Sequence, residues 1–264
     1  MRMMANLVFE GDMARIQHGF AQCHDAIMRR SVVLDALNLR SGERVLEQGC
    51  GGGFYTYETA RFVGPQGRIA AIDISADQIT AARERCREMS WVECQIANAN
   101  ELPYGDGEFD AVFGVQVLEY IQDFEKALRE AQRVLRPGGR FLNLATNWTS
   151  LLWHSGHPER MRRVLEALAT HAPYPDLPVI LASALRRAGL QLLRQQGVPI
   201  INTSYNENRS SFWIARLTAN FARGRGAVSD DEIDEWLAEF PALDAKGEFF
   251  FSTTTVLTEA IKVS

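Results

Sequence analysis

Apolar and polar positions alternate in short blocks along the first half of the chain. Between Arg44 and Ala145, apolar runs of strand length are separated by stretches in which apolar side chains recur at helical spacing. The predicted strands of this half are residues 45–46, 68–72, 91–96, 109–117 and 141–145. The predicted helices between them include residues 57–63, the face formed by Ile79, Ala82 and Cys86, and residues 124–135. This alternation predicts βαβ units and a doubly wound, mostly parallel α/β sheet.

The second half of the chain departs from that alternation. Residues 158–168 carry apolar side chains at helical spacing and predict an inserted helix. Residues 190–201 and 249–263 have the length and the β-branched content of two further strands. Between these strands, residues 210–221 have a helical pattern, and residues 229–232 form a capping box that opens an acidic helix. The sequence thus predicts seven strands, with helical insertions after strands five and six.

Composition excludes several classes of protein. The chain has 264 residues, of which 46% are hydrophobic and 23% are charged, and this suits one large α/β domain. A net charge of −5 gives no general attraction to phosphate backbones, so a nucleic-acid partner is not expected. No apolar run approaches the length of a membrane span, and the first residues lack the apolar core of a secretory leader. The 4 cysteines form no C-x-x-C pair, so we expect free thiols in a soluble, cytoplasmic protein.

The most informative segment is residues 45–53, with the sequence VLEQGCGGG. Gly49, Gly51 and Gly53 stand at alternate positions after an apolar strand, where glycine accepts a positive φ and lets a ligand approach the backbone. The dinucleotide fingerprint G-x-G-x-x-G needs a glycine where this chain has Phe54, so an NAD-dependent dehydrogenase is disfavoured. A turn that serves only strand–helix packing is the alternative explanation of these glycines.

Glu47 and the three glycines together give E-x-G-x-G-x-G, which resembles motif I of the class I S-adenosylmethionine-dependent methyltransferases. The resemblance continues in order through residues 109–120 and the segment VLRPGG at residues 134–139. It is most similar to the small-molecule branch that includes the ubiquinone and menaquinone C-methyltransferases. The resemblance implies a Rossmann-like fold, S-adenosyl-L-methionine as cofactor and S-adenosyl-L-homocysteine as product.

The resemblance also implies a division of the chain. Residues 1–264 are expected to form a single methyltransferase domain. Its predicted parts are an N-terminal helical lid at residues 1–40, a cofactor-binding core at residues 41–146, and helical substrate-cap insertions at residues 147–178 and 205–247.

The family motifs map onto ten positions of this chain. They are Glu47, Gly49, Gly51, Gly53, Asp73, Ile74, Asn98, Ala99, Val115 and Gln116. In the family, the acid at the position of Glu47 orients the amino end of the cofactor, and the acid at Asp73 accepts hydrogen bonds from both ribose hydroxyls. Asn98 departs from the family, which usually has an acid there to accept the adenine amino group; an amide oxygen accepts more weakly. Alternatively, Asn98 and Asn100 serve only to form a turn, and Asp73 is only a solvated strand end or a helix cap.

The catalytic and substrate residues follow from position rather than from a motif. His154 is the candidate general base because it follows strand five, near the carboxyl edge where α/β sheets bind ligands. Trp148 and Trp153 suit an aromatic substrate pocket, and Tyr120 is the second candidate to approach the substrate. Alternatively, this segment is a lid helix in which the two tryptophans are core residues and His154 forms only a local cap or hydrogen bond. His154 and His157 lack a third ligand at metal spacing, so no metal is expected.

The sequence therefore predicts an enzyme that transfers a methyl group from S-adenosyl-L-methionine to a C, N or O atom of a small metabolite, with an aromatic acceptor as one candidate. A protein that binds this cofactor without methylating, as an accessory module or a non-methylating enzyme, is the alternative. The expected partner is a small molecule, with no nucleic acid and no membrane. The acceptor stays open, and so does the oligomeric state, for which a homodimer is one option.

Overall fold

The computed structural model describes residues 12–225 and 228–263. The strands of its seven-stranded sheet are β1 (Arg44–Gln48), β2 (Arg68–Asp73), β3 (Val92–Ile96), β4 (Phe109–Val115), β5 (Leu135–Trp153), β6 (Leu190–Asn202) and β7 (Phe251–Lys262). The helices are α1 (Asp12–Gln22), α2 (His24–Leu37), α3 (Phe54–Val63), α4 (Ala76–Arg85), α5 (Phe124–Val134), α6 (Pro158–Leu168), α7 (Leu177–Arg187), α8 (Ser210–Ala222) and α9 (Asp230–Ala245). The predicted α/β fold, with helices inserted after the fifth and sixth strands, is confirmed.

The strand order places a reversal of topology at β1 and β4. The order across the sheet is β3-β2-β1-β4-β5-β7-β6. Parallel pairing joins β1 to β2 and β4, β2 to β3, and β4 to β5. Side-chain hydrogen bonds join Arg194 to Glu259 and Gln195 to Thr258 in opposite register, so β6 and β7 run antiparallel. In doubly wound sheets, ligands bind at the carboxyl ends of the strands where the order reverses. The carboxyl ends of β1 and β4 are therefore the expected place for a ligand site.

Local sequence signals set the ends of several helices. α3 begins after Gly53 and ends at Gly64, whose φ values of 77° and 70° lie in the region that favours glycine. Ser75 caps α4 by accepting the backbone N–H of Gln78. The predicted capping box at the start of α9 is present, because Ser229 and Glu232 each accept the backbone N–H of the other.

The described residues cluster into two compact units. One, here called the insertion unit, contains the described residues up to Arg29, together with Thr146–Asp176 and Val198–Thr255. The other, here called the sheet unit, contains Arg30–Ala145, Leu177–Gly197 and the described residues from Val256 onward. The predicted insertion at residues 205–247 falls wholly within the insertion unit. The predicted insertion at residues 147–178 does so up to Asp176.

Each unit has its own apolar core. In the sheet unit, Val45 and Leu46 of β1, Ile69 of β2 and Phe113 of β4 are fully buried. In the insertion unit, the core is an aromatic cluster formed by Trp153, Tyr205, Trp236, Phe240, Phe249 and Phe251. Aromatic pairs at such centroid distances contribute packing beyond the apolar area that they bury.

One segment differs from the sequence prediction. β5 continues to Trp153 instead of ending at Ala145, so residues 147–153 are strand and not part of a helical insertion. The backbone N–H of Thr254 donates to the Ser150 hydroxyl at 3.0 Å, and the backbone N–H of His154 donates to the Phe250 carbonyl at 2.9 Å. These partners are distant in the sequence, and a local hydrophobic pattern does not reveal them.

The predicted N-terminal helical lid, residues 1–40, is helical over α1 and α2. Residues 1–11 of it lie outside the described part of the chain. Gly19 of α1 lies against the Trp213 indole of α8, since a Cβ on Gly19 would lie 2.2 Å from an indole carbon. This close packing holds α1 against α8 inside the insertion unit.

Candidate functional site

The glycine loop between β1 and α3 adopts a conformation that glycine alone tolerates well. Gly49, Gly51 and Gly53 have φ values of 66°, 51° and 77°. A Cβ on Gly49 would lie 2.3 Å from the Val117 side chain, and a Cβ on Gly53 would lie 2.8 Å from the Cα of Ala82. Packing therefore accounts for two of the glycines, at 49 and 53. The backbone N–H of Gly51 is directed to the Asp73 carboxylate instead, which ties the loop to the end of β2.

Glu47 is a buried carboxylate at the base of this loop. It is 2% exposed, and its Oε2 accepts the Thr56 hydroxyl of α3 at 2.5 Å. Burial raises the pKa of Glu47, the Thr56 hydrogen bond opposes this shift, and the nearby Asp73 charge adds to it, so that the pKa is about 8. No Lys or Arg of the described residues forms an ion pair with Glu47. A carboxylate of this kind favours a cationic group as its partner.

Asp73 ends β2 and is held by the backbone on both sides. Its Oδ2 accepts the N–H of Gly51, and its Oδ1 accepts the N–H of Ser75, each at 2.9 Å. A carboxylate has about four lone-pair sites, so acceptor capacity remains on both oxygens. The two hydrogen bonds fix the orientation of the carboxylate, and the remaining lone pairs suit a pair of hydroxyl donors.

Apolar side chains flank the neighbouring strand ends. Ile74 follows β2 and is 76% exposed, and Ile96 ends β3 and is 57% exposed. Large apolar side chains exposed at strand ends suit the faces of a flat ring. The sequence motifs included Ile74 but missed Ile96; its position at the carboxyl end of β3 was the signal that could have found it.

Asn98 takes part in a turn. Its Oδ1 accepts the backbone N–H of Asn100 at 2.9 Å, and its carbonyl accepts the N–H of Glu101 at 3.0 Å. The side chain of Asn98 is exposed, whereas Ala99 is buried. The turn that the sequence offered as an alternative is therefore formed. The second lone pair of Oδ1 leaves room for one further donor, so an adenine contact stays a prediction.

The end of β4 carries a strained residue. Gln116 has a φ of 55°, which is uncommon outside glycine, and its backbone N–H donates to the Leu144 carbonyl at 2.7 Å. Strain of this kind persists where surrounding structure enforces it, often at functional sites. Val115 and Gln116 are half-buried here, and the neighbouring Val117 packs against Gly49. Sequence motifs missed Val117 and Thr56, because their roles depend on contacts to Gly49 and Glu47.

Tyr120 lies just beyond, in a short 3₁₀ turn formed by Leu118–Tyr120. It is half-buried, and its backbone N–H donates to the Val117 carbonyl. The neighbouring Glu119 is fully buried. Tyr120 thus follows the carboxyl end of β4 in the sheet unit, and its approach to a substrate stays a prediction.

His154 belongs to the insertion unit and is exposed. Its Nδ1 lies 2.8 Å from the Glu248 carbonyl oxygen. Since a carbonyl oxygen only accepts, Nδ1 carries the proton, and Nε2 of the neutral ring is left as the acceptor. A general base needs a free acceptor of this kind, so the geometry is compatible with the predicted role.

Trp148 and Trp153 are both buried in the insertion unit. Trp148 is 7% exposed and packs edge-on against His171 at a centroid distance of 4.5 Å. Trp153 is 4% exposed and contacts Trp236 and Phe251. These contacts give both tryptophans a packing role, as in the alternative that made the aromatics core residues. Their contact with a substrate stays a prediction.

Two further features are absent from residues 12–225 and 228–263. No group of three His, Cys, Asp or Glu side chains lies close enough together there to hold a metal ion. Within the same residues, no helix combines the length and apolar character that a bilayer crossing requires. Cys23, Cys50, Cys86 and Cys94 are free and buried.

Comparison with known families matches residues 46–143 to a family described as "Methyltransferase domain". A ubiquinone/menaquinone biosynthesis C-methyltransferase from Hahella chejuensis is 39% identical over 114 residues, which is 42% of this chain and 46% of that protein. An uncharacterized 37.1 kDa protein in a transposon of Streptomyces fradiae is 41% identical over 122 residues, covering 46% of this chain and 35% of that protein. The chain thus spans less than half the length of these two relatives. The resemblance seen in the motifs is confirmed for the matched residues.

A solved structure from Bacillus halodurans, described as a "putative methyltransferase", has a comparable fold. Its TM-score to this chain is 0.63 at 18% identity, and the match covers 90% of this chain and 100% of the other. At that identity the match concerns the fold alone. It confirms the predicted Rossmann-like architecture with a seven-stranded sheet.

Proposed function

We propose that this chain, which carries a class I S-adenosylmethionine-dependent methyltransferase domain over residues 46–143, transfers a methyl group from S-adenosyl-L-methionine to a small molecule. The observation that carries the proposal is the loop of Gly49, Gly51 and Gly53, held between the buried Glu47 and the anchored Asp73. A cationic amino end and a ribose diol are the two groups that these carboxylates suit.

The residues present fit this cofactor. Glu47 would accept the ammonium of its methionine part, because no cation of the described residues pairs with this carboxylate. Asp73 would accept both ribose hydroxyls with the lone pairs that Gly51 and Ser75 leave. Ile74 and Ile96 would contact the adenine ring. The role of Asn98 toward adenine is weaker, since its Oδ1 already accepts a turn N–H.

When bound, S-adenosylmethionine supplies an electrophilic methyl group on a positively charged sulfur. The chain contributes orientation. The left-handed glycines let the backbone pass close to the cofactor, and the strained Gln116 with Val115 forms the wall at the end of β4. An ammonium beside Glu47 favours its ionised form, so binding moves a proton from Glu47 to solvent.

The acceptor side of the proposal rests on fewer observations. The matched residues 46–143 all lie in the sheet unit, so the family says nothing about the insertion unit. We propose a small metabolite as acceptor, methylated at C, N or O, with an aromatic compound as the first candidate. In this proposal His154 acts as base through Nε2 when the acceptor needs one, and Tyr120 orients the substrate.

Incubation with methyl-labelled S-adenosyl-L-methionine and a metabolite extract tests the proposal. We expect label in a small-molecule product together with release of S-adenosyl-L-homocysteine. A protein carrying Asp73→Ala is the control, because it lacks the carboxylate proposed to accept the ribose hydroxyls. Tight cofactor binding without turnover across extracts would favour an accessory or non-methylating protein. Absence of cofactor binding would reject the assignment altogether.

A further inference from the structure

Arg29 of α2 is a buried guanidinium without a counter-charge among the described residues. The residue is 5% exposed, and its Nε and Nη1 have no hydrogen-bond partner among residues 12–225 and 228–263. Its guanidinium carbon lies over the Phe20 ring, 5.0 Å from the centroid. A cation–π contact of this kind offsets only part of the cost of removing a charge from water.

Another arginine of the insertion unit, Arg160, has carboxylate partners. Arg160, whose side chain is 11% exposed, donates to Glu235 at 2.7 Å and to Glu239 at 3.0 Å. Arg29 belongs to the same unit and is more deeply buried. The insertion unit thus supplies carboxylates to one deeply placed arginine, Arg160, and none of its described carboxylates pairs with Arg29.

The acid one helical turn before Arg29 is committed elsewhere. Asp25 accepts the Asn202 amide at 2.9 Å and the backbone N–H of Ser210 at 2.8 Å through Oδ2. Its Oδ1 lies 3.7 Å from the Arg209 guanidinium. Asp25 thus joins α2 to the end of β6 and the start of α8, and it does not form an ion pair with Arg29.

We infer that Arg29 binds the carboxylate of a small organic acid in the insertion unit. A planar guanidinium with free N–H donors matches a carboxylate in shape and charge. One buried positive charge balances one negative charge, so a monoanion fits better than a phosphate dianion. The Phe20 ring places apolar surface directly beside this guanidinium.

Titration with benzoate tests the binding site without any cofactor, so its failure is separable from failure of methyl transfer. We expect benzoate to bind the protein and raise its thermal midpoint, and neutral benzamide to do neither. Arg29→Met should weaken benzoate binding at least about tenfold, because a charge-assisted hydrogen-bonded pair is lost. Arg29→Lys keeps the charge but loses the planar guanidinium. Its benzoate affinity should lie between that of the unaltered protein and that of Arg29→Met.

Arg225→Met is the matched control. Arg225 also lies over an aromatic ring, that of Phe221 at 4.3 Å, but it is exposed. We expect its benzoate affinity to equal that of the unaltered protein. An equal loss in Arg225→Met and Arg29→Met would overturn the inference, because it would show general attraction to positive surface charge.

The stability of Arg29→Met without benzoate gives a second, independent outcome. Removing an uncompensated buried charge raises the thermal midpoint, whereas removing one member of a buried ion pair lowers it. We expect a higher midpoint. A lower midpoint would overturn the inference, since the chain itself would then supply the counter-charge. Tighter binding of inorganic phosphate than of benzoate would overturn the assignment to a carboxylate.

Discussion

Glu47 of the sheet unit is buried and Glu239 of the insertion unit is half-buried, and their surroundings shift the pKa values of the two carboxyl groups in opposite directions. Burial opposes ionisation of Glu239, but a backbone N–H, the Arg160 guanidinium and a serine hydroxyl outweigh it and lower its pKa. At Glu47, burial dominates, Asp73 adds to it, and the pKa rises to about 8 despite the Thr56 hydroxyl.

We propose that this difference distinguishes an acid that serves only the fold, Glu239, from an acid that binds a ligand, Glu47. A carboxylate that serves only the fold is stabilised by partners from the same fold, as Glu239 is. The folded chain does not offset the free energy that burial adds to the ionisation of Glu47. This residue lies at the base of a loop of left-handed glycines. Functional sites commonly retain such costs, because a bound group removes them.

The largest expected effect is on the pH dependence of stability, tested with Glu47→Gln. The pKa of Glu47 is raised from 4.5 to about 8 in the folded protein, so between these values the folded state holds a proton that the unfolded state has lost. Stability contributed at this site is therefore greatest at low pH and falls as the pH rises to about 8. Glu47→Gln should lack this decline, as measured by urea unfolding from pH 5 to pH 8 without cofactor.

Glu239→Gln sharpens the same comparison. Because its folded pKa is lowered, Glu239 contributes stability above its unfolded value of 4.5, and that stability is lost as the pH falls through the folded value. Glu239→Gln should destabilise the protein at pH 7, where Glu47→Gln stabilises it. The same sign for both substitutions would remove the distinction between the two acids.

The next largest effect concerns the loop backbone. Gly53→Ala introduces a Cβ 2.8 Å from the Cα of Ala82 at a φ of 77°, and we expect a loss of about 3 kcal/mol in unfolding free energy. Gly52→Ala is the matched control, because its Cβ meets atoms only at 3.6 Å and beyond. It should cost less than about 1 kcal/mol. Urea unfolding measures both, and equal costs would show that the loop is not fixed by these contacts.

Asp73→Ala should weaken S-adenosyl-L-methionine binding by at least about 1 kcal/mol. The substitution removes the acceptor proposed for the ribose hydroxyls and also releases the N–H of Gly51. Asp77→Ala, at an exposed position in the first turn of α4, controls for the change in net charge. Calorimetry that finds the same affinity for both variants would eliminate Asp73 as the ribose acceptor.

The smallest effect on cofactor affinity is expected for His154→Ala. If Nε2 acts as base, turnover falls and its pH dependence changes, while the affinity for S-adenosyl-L-methionine stays the same. His157→Ala is the control, since His157 is also exposed and lies three residues later. An unchanged pH profile of turnover in His154→Ala would rule out the base.

In both units, the sequence predicts local features better than contacts between distant residues. The glycine loop, Asp73 and the Ser229 capping box depend on backbone conformation and on residue types at fixed spacing, so the printed sequence reveals them. The bounds of α6 were predicted to the residue, and those of β6 and β7 within one or two residues. Local periodicity is a reliable guide in such segments because it reflects one buried face.

What the sequence did not reveal depends on pairing between distant residues. β5 passes Ala145 because its later residues pair with β7, and the cluster around Trp153 and Trp236 joins segments far apart in the chain. The hydroxyl of Thr56 on Glu47 and the packing of Val117 on Gly49 are likewise tertiary contacts. No spacing rule in the sequence specifies such contacts. The Thr56 hydroxyl opposes the rise that burial causes in the pKa of Glu47, and Val117 fills the space beside Gly49.

The most direct test is a calorimetric titration of S-adenosyl-L-methionine at pH 7 in two buffers of different ionisation enthalpy. With a pKa of about 8, Glu47 is mostly protonated before binding, and the ammonium of the cofactor ionises it. We predict binding with release of close to one proton, and release of none in Glu47→Gln. Binding without proton release, or no binding, would contradict the claim that Glu47 and the glycine loop form the cofactor site.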